Sequence, residues 1–275
     1  MILDCHIHSS VGKPNPKRLM AEMKQGGIDG GVVISLPPAC FVHFKGPNKP
    51  QQRLETVMKW TAGAKTLFPF YWIDPTEKDA VAQVKAAVKA GIAGFKTICN
   101  HFYPGDTAAM DTYRDIAKAN KPLLFHSGIL WDGQNSSKYN RPAEFEALID
   151  VPKLRFALAH ISWPWVDECI ALYGKFQAAH ASRPDPSCEM FIDTTPGTPE
   201  IYRREALTKI FTVGYRVADN VLFGTDASTG EYGYEWAKVW LCRDQDIYRS
   251  VNLDQAGQDK VFYKNLLRFL GRKAI

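Results

Sequence analysis

No apolar run in this sequence approaches the roughly 18 residues that a bilayer-spanning helix needs, so no membrane-embedded segment is expected. The opening MILDCHIHSS carries no basic stretch ahead of an apolar one, and no secretory leader is expected. The six cysteines (Cys5, Cys40, Cys99, Cys169, Cys188, Cys242) include no CxxC pair, which argues against a zinc knuckle or a disulfide framework. They read as reduced thiols, mostly core fillers, of a cytoplasmic protein. Lys and Arg are scattered despite a net charge of +5, so a nucleic-acid-binding patch is not indicated. No low-complexity tract or linker divides the chain, and one domain can absorb all 275 residues.

What is present is an alternation of short apolar runs with helical stretches. Candidate strands are Met1–His8, Gly31–Leu36, Leu67–Trp72, Ala93–Ile98, Pro122–His126, Arg155–His160, Met190–Asp193 and Asn220–Thr225. Helical patterns cover Arg18–Gln25, Arg53–Ala64, Thr76–Ala90, Thr107–Ala119, Ala143–Ile149, Trp165–Phe176, Pro199–Val213 and Gln258–Leu270. Thr76–Ala90 is the clearest, with Thr76 as its expected cap and Gly91 as its stop. Eight β/α alternations predict an α/β fold, a (β/α)8 TIM-like barrel, with a doubly wound sheet as the alternative.

Chemistry-bearing residues collect at the C-terminal ends of these runs, the active-site face of such a barrel. His6 and His8 close the first run. Two apart on a strand, they point to one side and can bind one metal, with Cys5 and Ile7 directed toward the surrounding helices. An HxH triplet alone is a weak signal, and a hydrogen-bonded pair of core histidines is its plain alternative. His126 and His160 end the fifth and sixth runs, each as a ligand or catalytic group. Asp226 follows the eighth as ligand and general base, or else as a helix cap. Lys96, late in the fourth, admits three roles: a cation for an anionic substrate group, a carboxylated bridge between two metals, or an ion-pair partner for an acid such as Asp226.

The loops add candidates. Trp131 and Trp163 can contact a flat or cyclic substrate, or pack under the rim. Arg141 and Arg203 are candidate anion clamps, or surface ion pairs. The loop Pro37–Pro50, which carries His43, can serve as a lid. His101 reads as an exposed or hydrogen-bonded loop residue, and His180, beside the polar stretch Ala181–Cys188, as surface.

Asp4-Cys5-His6-Ile7-His8, Gly94-Phe95-Lys96, Phe125-His126-Ser127-Gly128, Ala159-His160 and Phe223-Gly224-Thr225-Asp226, taken in order, resemble the amidohydrolase superfamily. Within it the chain looks most like the amidohydrolase 2 branch of TIM-barrel metal-dependent hydrolases, up to a closing helix like Val261–Arg268. The resemblance implies that His6, His8, His126 and Asp226 bind a divalent metal, usually zinc. It also implies that His160 binds a second metal or polarises the substrate. The branch includes hydrolases of C–N and C–O bonds, such as lactonases, and also decarboxylases and hydratases, so the reaction has to be argued from the site. TatD-like deoxyribonucleases share the opening triplet but carry a Glu where this chain has Lys96. Binuclear hydrolases do have a lysine there.

The expected activity is hydrolysis of an amide, lactone or related ester in a small anionic substrate. Asp226 would take the proton of a metal-activated water, His160 would help stabilise the oxyanion, and Lys96 would hold a substrate carboxylate. The alternative is a metal-dependent decarboxylase or other lyase of a small carboxylic acid. A small molecule is the expected partner, and a homo-oligomer stays open.

Overall fold

The computed structural model describes residues 1–182 and 187–272; residues 183–186 of the polar stretch after His180 lie outside the described residues. Among the described residues, nine parallel strands form one curled α/β sheet: β1 Leu3–His8, β2 Gly30–Ile34, β3 Leu67–Trp72, β4 Gly94–Thr97, β5 Leu123–Phe125, β6 Arg155–Leu158, β7 Glu189–Asp193, β8 Val221–Leu222 and β9 Ala227–Ser228. Their order is β8-β7-β6-β5-β4-β3-β2-β1-β9, so each strand from β1 to β8 lies beside its successor. Of the run expected as the eighth strand, Asn220–Thr225, only Val221–Leu222 is strand, and a second short piece, β9, follows beyond it at the opposite edge of the sheet. β8 pairs with β7 and β9 pairs with β1. Between them the Cys5 N–H donates to Phe223 O at 2.9 Å, so residues 221–228 touch both edges.

Helices follow the strands: α1 Pro16–Gln25, α2 Pro50–Thr61, α3 Ala80–Ala90, α4 Thr107–Lys118, α5 Val166–Ser182, α6 Glu200–Thr212, α7 Tyr234–Ser250, α8 Gln255–Asp259 and α9 Asn265–Phe269. Asn15 caps α1 by accepting from the Arg18 N–H, with Pro16 at the first helical position. Thr76 does not cap α3, which begins four residues later, after Asp79; its hydroxyl donates to Asp74 instead. The helix expected over Ala143–Ile149 is a 3-10 stretch, Pro142–Asp150.

Apolar side chains form two layers. Ile7, Val33, Tyr71, Phe95, Phe125 and Leu158 face outward and pack under the helices. Leu3, Cys5, Val32, Phe70, Leu124 and Phe191 fill the concave side together with Leu266, Leu267 and Phe269 of α9. The α9 segment thus plugs the inner layer, its Phe269 ring centroid lying 5.0 Å from that of Phe191.

This layering corrects one expectation. Cys5 belongs to the inner layer, not to the helix-facing one, because the β1–β2 register shifts between Asp4 and Ile7. An irregularity of this kind adds a residue and re-aims the side chains after it. Leu3 and Cys5 point inward before it, and His6 and His8 point into the same interior after it, while Ile7 points out.

Candidate active site

The strand C-termini open onto a cavity of about 680 Å³ lined by His6, His8, Lys96, His126, His160 and Asp226. The loop after β2 supplies Pro37, Cys40, Phe41, Val42, His43 and Phe44, and Trp72, Ile98, Leu130, Trp131 and Trp163 complete a largely apolar wall. Six polar candidates named from sequence therefore share one space. Trp131 is strongly exposed at its mouth.

Within the cavity, His6, His8 and Asp226 converge. Their Nε2, Nε2 and carboxylate donors lie within 4.8 Å of one another. The His6 Nε2–His8 Nε2 separation is 3.2 Å, and Asp226 Oδ1 lies 3.3 Å from His8 Nε2 and 3.7 Å from His6 Nε2. Two positioning devices fix this cluster. Asp4, fully buried, accepts from the His6 and Thr225 N–H groups at 2.9 and 3.0 Å, from the Thr225 hydroxyl at 2.5 Å and from the Tyr232 hydroxyl at 2.9 Å. It thereby ties the β1 irregularity to the β8–β9 junction that carries Asp226. Asp226 itself sits at φ +59°, a left-handed conformation that Asp tolerates better than most residues.

Asp193, at the end of β7, is the second device. Its Oδ2 lies 2.8 Å from His6 Nδ1. The carboxylate fixes the proton on Nδ1 and leaves the Nε2 lone pair facing His8 and Asp226. Burial, with the Lys96 charge next, holds the His6 pKa well below the usual range, so this ring is neutral. Burial alone would raise Asp226, but the His8 hydrogen bond and the neighbouring imidazoles outweigh it and hold the carboxylate ionised. A neutral imidazole lone pair and a carboxylate meeting a second imidazole at such distances form an electron-rich pocket that a divalent cation satisfies. The donor set, N₂O with a side open to the cavity, suits zinc-type coordination.

His126 and His160 line the same cavity beside this cluster, with ring centroids 4.9 Å apart, and the His6 and His160 centroids lie 5.4 Å apart. His126 Nε2 is 3.2 Å from Ile129 O, so it donates there and Nδ1 is its remaining ligand atom. His160 Nδ1 is 3.0 Å from Pro196 O, which leaves Nε2 as its free nitrogen. Burial, then the His160 and Lys96 charges, keeps the His126 pKa far down. His160, Ile161 and Ser162 all have positive φ, between 52° and 62°, an unusual run of left-handed backbone. Such conformations persist only where surrounding structure imposes them, typically at functional sites.

Lys96 is buried, and its Nζ lies 3.5 Å from His6 Nε2. Among the described residues no carboxylate comes within 4.0 Å of it, so the ion-pair role is not what the geometry shows. Burial pushes its pKa down to about 8.

Arg141 is placed away from the cavity, its Nε 2.9 Å from Glu168 Oε2. Arg203 is neither a clamp nor exposed. Fully buried, it grips both Asp244 oxygens at 3.0 and 2.6 Å and donates to Thr194 O at 2.5 Å, joining α6 to α7. Sequence reasoning missed Asp193, although it ends its strand run as His126 and His160 nearly do. It also missed Gly197, where a Cβ would sit 2.7 Å from the His160 ring.

The family model for amidohydrolases matches residues 41–272. The chain belongs to the amidohydrolase family. It is an enzyme of a superfamily whose members typically bind a divalent metal. No curated protein sequence matches it significantly. Among solved structures it is similar to a probable 2-pyrone-4,6-dicarboxylic acid hydrolase from Acinetobacter baumannii with citric acid bound, at 13% identity and TM-score 0.63 over 98% of this chain and 99% of that one. It is also similar to 2,6-dihydroxybenzoate decarboxylase from Rhizobium, at 14% identity and TM-score 0.62 over 98% of each chain. Dihydroorotase from Campylobacter jejuni follows at 15% identity and TM-score 0.62, over 99% of this chain and 84% of that one. At these identities the likeness is one of fold. As for the membrane, no helix among the described residues is long and apolar enough to cross one.

Proposed function

We propose that this amidohydrolase hydrolyses a C–N or C–O bond, in an amide, lactone or related ester, of a small anionic substrate. The observation that carries the proposal is the convergence of His6 Nε2, His8 Nε2 and the ionised Asp226 on one point beside the buried ammonium of Lys96. The proposal treats the sheet as a closed (β/α)8 barrel in which β8 and β9 are halves of one strand, supported by the bond from Cys5 N–H to Phe223 O.

His6, His8 and Asp226 would hold the divalent ion, with zinc first among candidates and His126 and His160 at hand for further ligation. Bound there, such an ion supplies Lewis acidity to a carbonyl oxygen and acidifies water. Asp226 accepts the proton of the attacking water through the oxygen not turned to the histidines and passes it to the leaving group. Lys96 orients a substrate carboxylate from the cavity floor. His160, with Nδ1–H committed to Pro196, meets the substrate through Nε2, and stabilises an oxyanion only when protonated. Phe41, Trp72 and Trp163 supply flat apolar walls that exclude water around a ring.

One feature favours a second possibility, decarboxylation of a small carboxylic acid: the aromatic lining around a single buried cation suits an aromatic carboxylate equally well. Metal-loaded protein assayed against lactones, cyclic amides and aromatic acids separates the two. A new acid group without gas supports hydrolysis, and carbon dioxide release supports the lyase. Full turnover by Asp226→Asn would overturn both.

A further inference from the structure

Away from the active-site cluster, the described residues bring together a second set of metal donors. Cys40, Asp74 and His101 place their ligand atoms within 4.8 Å of one another. They come from three segments: the loop after β2, the residues just past β3 and the loop after β4.

Asp74 is buried, at 5% exposure. Its Oδ1 accepts from the Thr76 N–H at 2.9 Å and from the Thr76 hydroxyl at 2.7 Å. Its Oδ2 faces His101 Nε2 at 3.5 Å. The protonation of that imidazole can be traced. Asn100 Nδ2 donates to Cys40 O at 3.4 Å, which turns Asn100 Oδ1 toward His101 Nδ1 at 2.6 Å. Nδ1 therefore carries the proton and Nε2 presents a lone pair. The Thr76 hydroxyl is 3.2 Å from Nε2, but its single hydrogen goes to the nearer Asp74 oxygen.

A lone pair thus faces a buried carboxylate oxygen, with a thiol alongside. Either His101 takes a second proton or a cation sits between them. In a tetrahedral zinc site with bonds of about 2.0–2.1 Å, nitrogen and oxygen ligands stand about 3.3 Å apart, close to the separation found here. Sulfur, imidazole and carboxylate together select zinc-type ions over magnesium or calcium. The acceptor on His101 Nδ1 is the usual outer partner of a metal-bound histidine. Burial, then Asp74, pushes the Cys40 thiol up to about 12, and a bound cation would reverse that.

We propose that Cys40, Asp74 and His101 form a second metal site, selective for zinc-type divalent ions and distinct from the His6–His8–Asp226 cluster. His101 is 45% exposed, which leaves a coordination position open to water or to a ligand. Cys40 lies one residue before Phe41, and the same loop carries Val42, His43 and Phe44 into the active-site cavity. Ligation would pin that loop to the ends of β3 and β4 and so set the shape of the cavity mouth.

Titration of the metal-stripped full-length protein with Co²⁺ tests this. A thiolate-to-cobalt charge-transfer band requires a sulfur ligand, and the active-site cluster contains none. The band is expected to saturate by two equivalents, the active-site cluster taking the other cobalt, and to vanish in Cys40→Ser. His101→Gln is expected to weaken binding at least tenfold, whereas His6→Ala and Cys242→Ser leave the band in place. Absence of the band in the unsubstituted protein, or its survival in Cys40→Ser, would overturn the proposal. Because the band is independent of the active-site histidines, its failure is distinguishable from failure of the hydrolase assignment.

Discussion

Replacing Lys96 with Met should make the metal-free protein more stable while removing its activity. The Lys96 ammonium is fully buried, and no carboxylate lies within ion-pair distance among the described residues. Burial lowers its pKa from 10.5 to about 8. At about 1.4 kcal/mol per unit, keeping the charge at neutral pH costs on the order of 3 kcal/mol. The sign follows from proton linkage. Between pH 8 and 10.5 the unfolded chain binds the proton more tightly than the folded one, so the stability of the parent rises through that window. Met fills a similar volume without a charge.

Urea unfolding of chelator-treated protein at pH 7 should therefore find Lys96→Met more stable by about 1–3 kcal/mol, the low end allowing for imperfect packing. At pH 10, where folded Lys96 has lost most of its proton, the advantage should shrink to below about 1 kcal/mol. Turnover should fall at least 100-fold, since the cavity loses its buried cation. A variant less stable than the parent at pH 7, or a difference that does not shrink with pH, would refute the reasoning. Either result would mean that the ammonium is held favourably rather than kept at a cost for the substrate.

Other perturbations have definite expected outcomes. Asp193→Asn removes the anionic acceptor on His6 Nδ1 and should weaken zinc binding at the active site by about 10–100-fold, measured by chelator competition in a Cys40→Ser background. Gly197→Ala drives a methyl into the His160 ring and should cut turnover at least tenfold at a stability cost of about 1–3 kcal/mol, read by steady-state kinetics and urea unfolding. Asp244→Asn leaves the buried Arg203 guanidinium without its anion and should cost about 3–5 kcal/mol in urea unfolding.

The strand-by-strand alternation was legible because each buried parallel strand reads as an unbroken apolar run. β3 was found at its observed bounds, and β1, β2 and β4 to β7 within a few residues. The last was found only in part, β8 inside the expected run and β9 beyond it, because Gly224 and the left-handed Asp226 break residues 221–228 into two pieces. Helix α7 went unrecognised although Ala237, Trp240, Leu241, Ile247 and Tyr248 keep helical spacing. The buried Asp244 interrupts that stripe, and only its distant partner Arg203 makes a carboxylate tolerable there.

The site was legible as residue types at strand ends, since six polar candidates do line one cavity. Their division of labour was not. The irregularity in β1 that puts Cys5 on the same side as His6, the tautomers set by Ile129 O and Pro196 O, and the partners of Asp4 are all long-range or backbone effects. Arg203 shows the same limit: a loop-proximal arginine gives no local sign that an aspartate 41 positions away will bury it.

Diffraction from zinc-loaded crystals, with anomalous scattering recorded at the zinc absorption edge, bears most directly on the central claim. A peak should stand about 2.0–2.2 Å from His6 Nε2, His8 Nε2 and an Asp226 oxygen. Full zinc loading with no density among those three atoms would contradict it.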